Sequence, residues 1–307
     1  MPKRIIKTNE GKVIASETVQ VISIENASEV KPNELYTTVK HCANIGDVFS
    51  IMPAIRKYWE VTKRRVQICQ LINMEGAYYP GASHPTKAED GKQVTMNLPM
   101  FNLLKPLVES QPYIHSFQPY TGQKIDLNFD VIRGQTDVGM PNGMIQSWIM
   151  YAFPDLDYDL SKTWIELPKV KKHPLSEQVK DKIIINFTER YRNPMIDYYF
   201  LQNYAPDLIF AGTDREHWLF CNRWGLNIPL LETKDFLEYA YAIRDCRFLM
   251  ANQSMAWNLS FAVGGKRLLE VCKWAANCQP FIGENSKGYM YQVGCEYHFR
   301  RMFNETK

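Results

Sequence analysis

The chain has 307 residues, 45% of them hydrophobic and 22% charged, with 36 Lys and Arg against 33 Asp and Glu. That composition describes a globular protein long enough for two domains and excludes disordered and collagen-like chains. A net charge of +3 does not by itself announce a nucleic-acid protein, and no run reaches the about 18 apolar residues of a membrane span. The opening Met1-Pro2-Lys3-Arg4 leads into charged residues where a signal peptide would carry an apolar core, so the expected location is the cytoplasm.

Two strand-like pieces, Lys12 to Ser16 and Val19 to Ile24, predict a hairpin ahead of the core. Leu35 to Cys42, rich in β-branched and aromatic residues, predicts the first core strand. After it come Asn44-Ile45-Gly46-Asp47 and a helix in which Val48, Ile51, Met52, Ile55 and Trp59 recur at helical period. Asp47 thus stands in a glycine turn at a helix start. A carboxylate there can complement the helix dipole or take a proton from a bound ligand.

Val66 to Ile72 predicts the second strand. From Asn73 to about Gln123 glycines and prolines punctuate the chain, so a loop-rich insert is expected, helical only around Met100 to Ser110 and suited to substrate contacts. Leu127 to Ile132 reads as a strand and Ile145 to Phe153 as a helix. Leu167 to Pro174, basic and bracketed by prolines, reads as a linker between domains 1–170 and 175–290. Residues 291–307 are expected to pack back on the first domain.

Beyond the linker, Lys182 to Phe187 and Leu208 to Gly212 read as buried parallel strands. A helix follows over Asp214 to Trp224, another over Lys234 to Arg244, then a strand Arg247 to Ala251, a helix Met255 to Val263 and a strand Arg267 to Val271. This alternation predicts a second doubly wound α/β domain, with ligands at the strand ends facing the first.

Several strand ends carry polar groups. Thr188, Arg190 and Arg192 offer a hydroxyl and two guanidinium forks suited to phosphate oxygens, although ordinary surface salt bridges explain the arginines equally well. Gly212 permits close backbone approach, and Thr213 can cap the next helix. Asn252, Gln253 and Ser254 precede a helix start, where backbone N–H groups receive anions; capping explains Ser254 as well. Glu270, at a strand end, is placed to accept ribose hydroxyls or simply to face water.

The sequence contains no GxxxxGK[ST] loop, no GxSxG elbow and no GxGxxG fingerprint. Seven dispersed cysteines form no CxxC pair, and six dispersed histidines stand at no metal-ligand spacing, so reduced thiols and no metal site are expected.

Gly46-Asp47, five residues, then Pro53-Ala54-Ile55 resembles the Gly-Asp-(five residues)-Pro-Ala-Leu element of the ADP-heptose:lipopolysaccharide heptosyltransferases, taken broadly to include phage and metagenomic relatives. Phe210 to Val271 is similar in outline to that family's donor half. The resemblance implies a GT-B fold, two Rossmann-like domains facing across a cleft, with the first on the acceptor side and the second holding the donor. It implies an inverting, metal-independent transfer from a nucleoside-diphosphate sugar, with no cofactor and Asp47 as general base. Thr188, Arg190, Arg192, Gly212, Thr213, Asn252, Gln253, Ser254 and Glu270 would then contact the donor, and Asn44, Gly46, Tyr78 and Tyr79 the acceptor. Where the family has Asp-(Thr or Ser)-Gly-x-x-His, this chain has Asn252-Gln253-Ser254-Met255-Ala256-Trp257, losing a charge and a donor to phosphate.

The acceptor implied is a glycan or a hydroxymethylated pyrimidine base in nucleic acid. A flipped base would stack on aromatics such as Tyr78, Tyr79, Tyr113 and Phe117. The competing readings are a non-catalytic nucleotide-sugar or glycan binder on the same frame, and a nucleotide-sugar epimerase.

Overall fold

The computed structural model describes residues 6–7, 13–15, 35–42, 44–76, 86–131, 145–170, 173–275, 278, 280 and 283–306. Strands β1 (Ile6–Lys7) and β2 (Val13–Ala15) pair antiparallel ahead of the core. Val19 to Ile24, the other half of the expected hairpin, lies outside the described residues, as do Tyr78 and Tyr79.

The first sheet is parallel, in the order β5-β4-β3-β6. Its strands are β3 (Tyr36–His41), β4 (Arg65–Gln70), β5 (Ile114–Pro119) and β6 (Leu127–Asn128). Helix α1 (Ile45–Thr62) crosses from β3 to β4 and buries Val48, Phe49, Ile51, Met52 and Ile55, as the apolar period requires. The insert is more ordered than its prolines suggest. It contains α2 (Leu98–Glu109), where Asn97 Oδ1 accepts from the Met100 N–H at 3.0 Å and Pro99 sits in the first turn, a position that needs no N–H. It also contains β5, whose Pro119 is the last strand residue. Tyr113 and Phe117 are wholly buried in the core, so neither can stack on a bound base.

The second sheet, also parallel, has the order β11-β10-β9-β7-β8. It comprises β7 (Ile183–Asn186), β8 (Leu208–Phe210), β9 (Phe248–Asn252), β10 (Arg267–Glu270) and β11 (Ser286–Tyr289). Every residue of β7 to β10 is buried, which their continuous apolar runs anticipate. The helices, in chain order after α2, are α3 (Ile145–Ala152), α4 (Pro174–Val179), α5 (Asp214–Trp224), α6 (Phe236–Asp245), α7 (Met255–Val263) and α8 (Gln292–Glu305). Helix α8 corrects the expectation for residues 291–307. Its apolar face, Cys295, Phe299, Met302 and Phe303, packs on β10 and β11 in the core of the second sheet, because that stripe matches the strand surface left uncovered there.

The two halves share packing. One hydrophobic cluster runs from α1 and β4 to α6 and α7, where α1 lies on α7 and α2 on α6. Trp164 straps the join: its indole N–H donates to Phe49 O at 2.9 Å, and its backbone N–H donates to Ala262 O at 3.1 Å. Among the described residues no helix is long and apolar enough to cross a membrane.

In each sheet the strand order reverses beside the first strand, between β3 and β6 and between β7 and β9. Chains diverge to opposite faces at such points and leave a crevice beyond the carboxyl ends of the strands. Asp47 follows β3, Thr188 follows β7, and Ser254 follows β9.

Candidate active site

A cavity of ≈ 320 Å³ opens where those crevices meet. Its walls come from both halves: Asn44 to Asp47 from the start of α1, Asn186 to Tyr191 beyond β7, Gly212 to Glu216 at the start of α5, and Gln253 to Asn258 at the start of α7. Its apolar lining includes Met100 and Leu103 of α2 together with Leu231, Phe236 and Tyr239.

Three helix starts face this space, and they are finished differently. At α1 the Asn44 backbone N–H donates to Asp47 Oδ2 at 3.2 Å, so the carboxylate folds back over its own helix end while lining the cavity. At α5 the Thr213 N–H and hydroxyl donate to Glu216 Oε2 at 3.0 and 2.9 Å, and the Glu216 N–H donates to Thr213 Oγ1 at 3.2 Å. At α7 Ser254 does not cap. Its hydroxyl donates instead to Asn186 Oδ1 at 2.8 Å, and the first turn carries no acidic residue. The start of α7 therefore presents uncapped backbone N–H groups to the cavity, the arrangement that binds anions.

Gly46 and Gly212 make the convergence possible. A Cβ on Gly46 would come within 3.1 Å of Asn258 Nδ2 and 3.6 Å of Met255 Cα, so a bare backbone lets α1 meet α7. Asn258 fixes that crossing: its Nδ2 donates to Gly46 O at 3.4 Å, and its Oδ1 accepts from Gln146 Nε2 at 2.9 Å. A Cβ on Gly212 would meet Phe210 at 2.8 Å and Glu216 Oε2 at 3.1 Å.

The loop after β7 is held from behind. Asn252 is wholly buried, and its Oδ1 accepts from the Thr188 N–H at 3.0 Å while its Nδ2 donates to the carbonyls of Thr188 and Arg190. Glu270, also wholly buried, accepts from Arg192 Nε at 3.1 Å, from the Asn193 N–H and from the Tyr198 hydroxyl. Burial, the largest single influence, would lower the Arg192 pKa; the charge and hydrogen bond of Glu270, together with Tyr198 and Tyr289, outweigh it and raise the pKa. The Arg192 guanidinium also lies over the Phe187 ring, 4.6 Å from its centroid, and it faces a separate cavity behind the loop. Tyr191 is forced into the left-handed region, at φ 53°, where a non-glycine residue persists only if its surroundings hold it.

The residues expected from the sequence therefore divide. Asn44, Gly46, Asp47, Thr188, Arg190, Gly212, Thr213, Gln253 and Ser254 share one cavity wall. Arg192, Asn252 and Glu270 do not reach it. They pin the loop: Asn252 and Glu270 are wholly buried on protein partners, and Arg192 Nε donates to Glu270 while its guanidinium faces the separate cavity, so the placement of Glu270 on ribose hydroxyls and of Arg192 on phosphates in this cavity is corrected. Glu216, Phe236 and Tyr239 join the site without having been singled out. A Thr followed at the third position by Glu signals the cap that brings Glu216 there, whereas only tertiary contact brings Phe236 and Tyr239.

Arg190 is the one cation on this wall among the described residues, opposed by Asp47 and Glu216. No group of three His, Cys, Asp or Glu residues placed to hold a metal occurs among them.

Two parallel doubly wound sheets whose facing switch points enclose one cavity define a GT-B fold. The structure of "E. coli ADP-heptose lps heptosyltransferase II" superposes with a TM-score of 0.51 at 10% identity, over 88% of this chain and 99% of that one. "Glycosyl transferase family 9 from Veillonella parvula" aligns with a TM-score of 0.48 at 11% identity, over 89% and 90% of the two chains. No protein-family model and no curated protein sequence matches the chain.

Proposed function

We propose that the protein is a glycosyltransferase that moves a sugar from a nucleoside diphosphate to an acceptor hydroxyl, with inversion and without a metal ion. One observation carries this reading: a carboxylate, Asp47, and an anion-receptive helix end, the start of α7, wall the same cavity from opposite halves of the molecule. The heptosyltransferase fold match is consistent with it.

In the reaction so read, the acceptor oxygen bonds to the anomeric carbon from the face opposite the diphosphate. The bond from that carbon to the diphosphate oxygen breaks with its electron pair, and Asp47 takes the acceptor proton. The α7 N–H groups, Thr188 and Arg190 receive the charge that develops on the leaving group, acting in place of a metal ion. The hydrogen bond from the Asn44 N–H, which orients the Asp47 carboxylate on the cavity wall, supports this role. The acceptor is a glycan hydroxyl. Burial of Tyr113 and Phe117 withdraws two of the aromatics that would support a flipped nucleic-acid base.

A structural role accounts for Asn252 in the altered turn. An asparagine both accepts from Thr188 and donates to two carbonyls, which an aspartate cannot do.

The test is thermal stabilisation by UDP, GDP, ADP, CMP and dTDP, followed by donor hydrolysis and transfer assays with Asp47→Asn. A nucleotide at about 100 times its dissociation constant adds roughly 2.7 kcal/mol to stability. Stabilisation by one of them, with turnover lost in Asp47→Asn, is expected. No stabilisation by any nucleotide overturns the reading, and binding with no turnover in any form transfers support to the non-catalytic binder.

A further inference from the structure

The apolar end of the cavity contains a buried polar group that the transfer chemistry leaves unused. Tyr239 is 5% exposed, lies on the cavity wall, and has a hydroxyl with no hydrogen-bond partner among the described residues. Burial raises its pKa well above the ordinary value, so it is a neutral phenol, able both to donate and to accept. A buried hydroxyl without a partner is costly, and in this apolar setting phenylalanine would pack as well without that cost.

The surroundings indicate what would use it. Phe236, one turn earlier on α6, and Leu231 belong to the donor half, whereas Met100 and Leu103 reach across from α2. These side chains form an apolar slot, and Glu216 stands near its polar edge. Thr188, Arg190 and the start of α7 line the same cavity. An apolar slot, a carboxylate and an anion cradle in one cavity match the parts of a nucleoside diphosphate: a flat base, a ribose diol, two phosphates.

We propose that this slot holds the nucleobase of the donor and that Tyr239 is a specificity-determining residue, its hydroxyl hydrogen-bonded to the polar edge of the base. The inference rests on the glycosyltransferase reading and deepens it. Because the hydroxyl is sealed from water, the base must part the slot to reach it. Leu103, 38% exposed, is the most exposed of those walls and the one that can give way.

The experiment compares the unsubstituted protein with Tyr239→Phe in thermal unfolding without ligand and in calorimetric titrations with the stabilising nucleoside diphosphate and with inorganic pyrophosphate. The expected signature is twofold. Tyr239→Phe unfolds at an equal or higher temperature, because an unsatisfied hydroxyl is gone, yet binds the nucleoside diphosphate about 10-fold more weakly, the loss of one hydrogen bond. Pyrophosphate affinity stays unchanged. Equal nucleotide affinity in the two proteins overturns the inference while leaving the glycosyltransferase reading intact, as does a loss of pyrophosphate and nucleotide binding together. If the unsubstituted protein binds no nucleotide, both fail. Leu103→Trp provides a second variant, on an exposed position: filling the slot lowers nucleotide affinity and leaves pyrophosphate binding as it was, and unchanged nucleotide binding argues against the slot.

Discussion

The starts of α1 and α7 are near neighbours finished in opposite ways. At α1 a carboxylate from within the helix, Asp47, accepts from the Asn44 N–H and places a negative charge beside the cavity. At α7 the residue best suited to cap, Ser254, turns its hydroxyl away to Asn186, and the helix end stays open. On the proposed reading, the same backbone dipole supports a base at one helix and an anion site at the other. The difference lies in one side chain's hydrogen-bond partner.

The sharpest way to break this contrast is at α1. In Asp47→Asn the proton acceptor is lost and the shape is kept, so transfer is expected to fall by about 10²- to 10⁴-fold with nucleotide affinity retained. Steady-state kinetics beside calorimetric titration check this, and a variant retaining near-normal turnover removes Asp47 from the chemistry. The next effect concerns the support of the α7 side. Glu270→Ala leaves Arg192 without its buried partner and frees the loop after β7, at a cost of about 3–5 kcal/mol read by denaturant unfolding. A cost under about 1 kcal/mol would mean that the loop is held elsewhere.

Two smaller changes sharpen the comparison. Asn252→Asp keeps the acceptor for the Thr188 N–H but sets a carboxylate oxygen against the carbonyls of Thr188 and Arg190. A loss of about 1–3 kcal/mol is expected, and weaker nucleotide binding should accompany it because Arg190 is displaced. Tighter binding in this variant than in the unsubstituted protein would show that a charge at this position contacts the donor directly. Ser254→Asp makes α7 resemble α1, capping the open end with an acid. Pyrophosphate affinity should fall about 10-fold or more, while helix capping contributes up to about 1 kcal/mol to stability. Unaltered pyrophosphate binding would remove the α7 end from the anion site.

Much of the frame is legible along the chain. The helical period after Asp47 and the apolar runs of β7 to β10 each depend on neighbours within a few residues, and the structure places these elements within a few residues of expectation. β5 was hidden by proline punctuation, which marks element ends as well as loops: Pro99 opens α2 and Pro119 closes β5. The stripe Cys295, Phe299, Met302 and Phe303 has helical spacing, but spacing does not say which sheet it covers.

The sequence by itself determined two doubly wound halves, an acid in the first turn of the helix after the first core strand, and polar residues at the strand ends; the glycine turn expected before that acid is itself helical, since α1 begins at Ile45. The tertiary structure alone decided which of those residues face the cavity. Asn252 and Thr188 are 64 residues apart, and Glu270 and Arg192 are 78 apart, yet each pair is joined by a hydrogen bond that takes a wholly buried acceptor side chain. A polar side chain at a strand end looks the same in sequence whether it serves a ligand or a distant loop. Burial distinguishes the two, because a group removed from water must find its partner inside the protein.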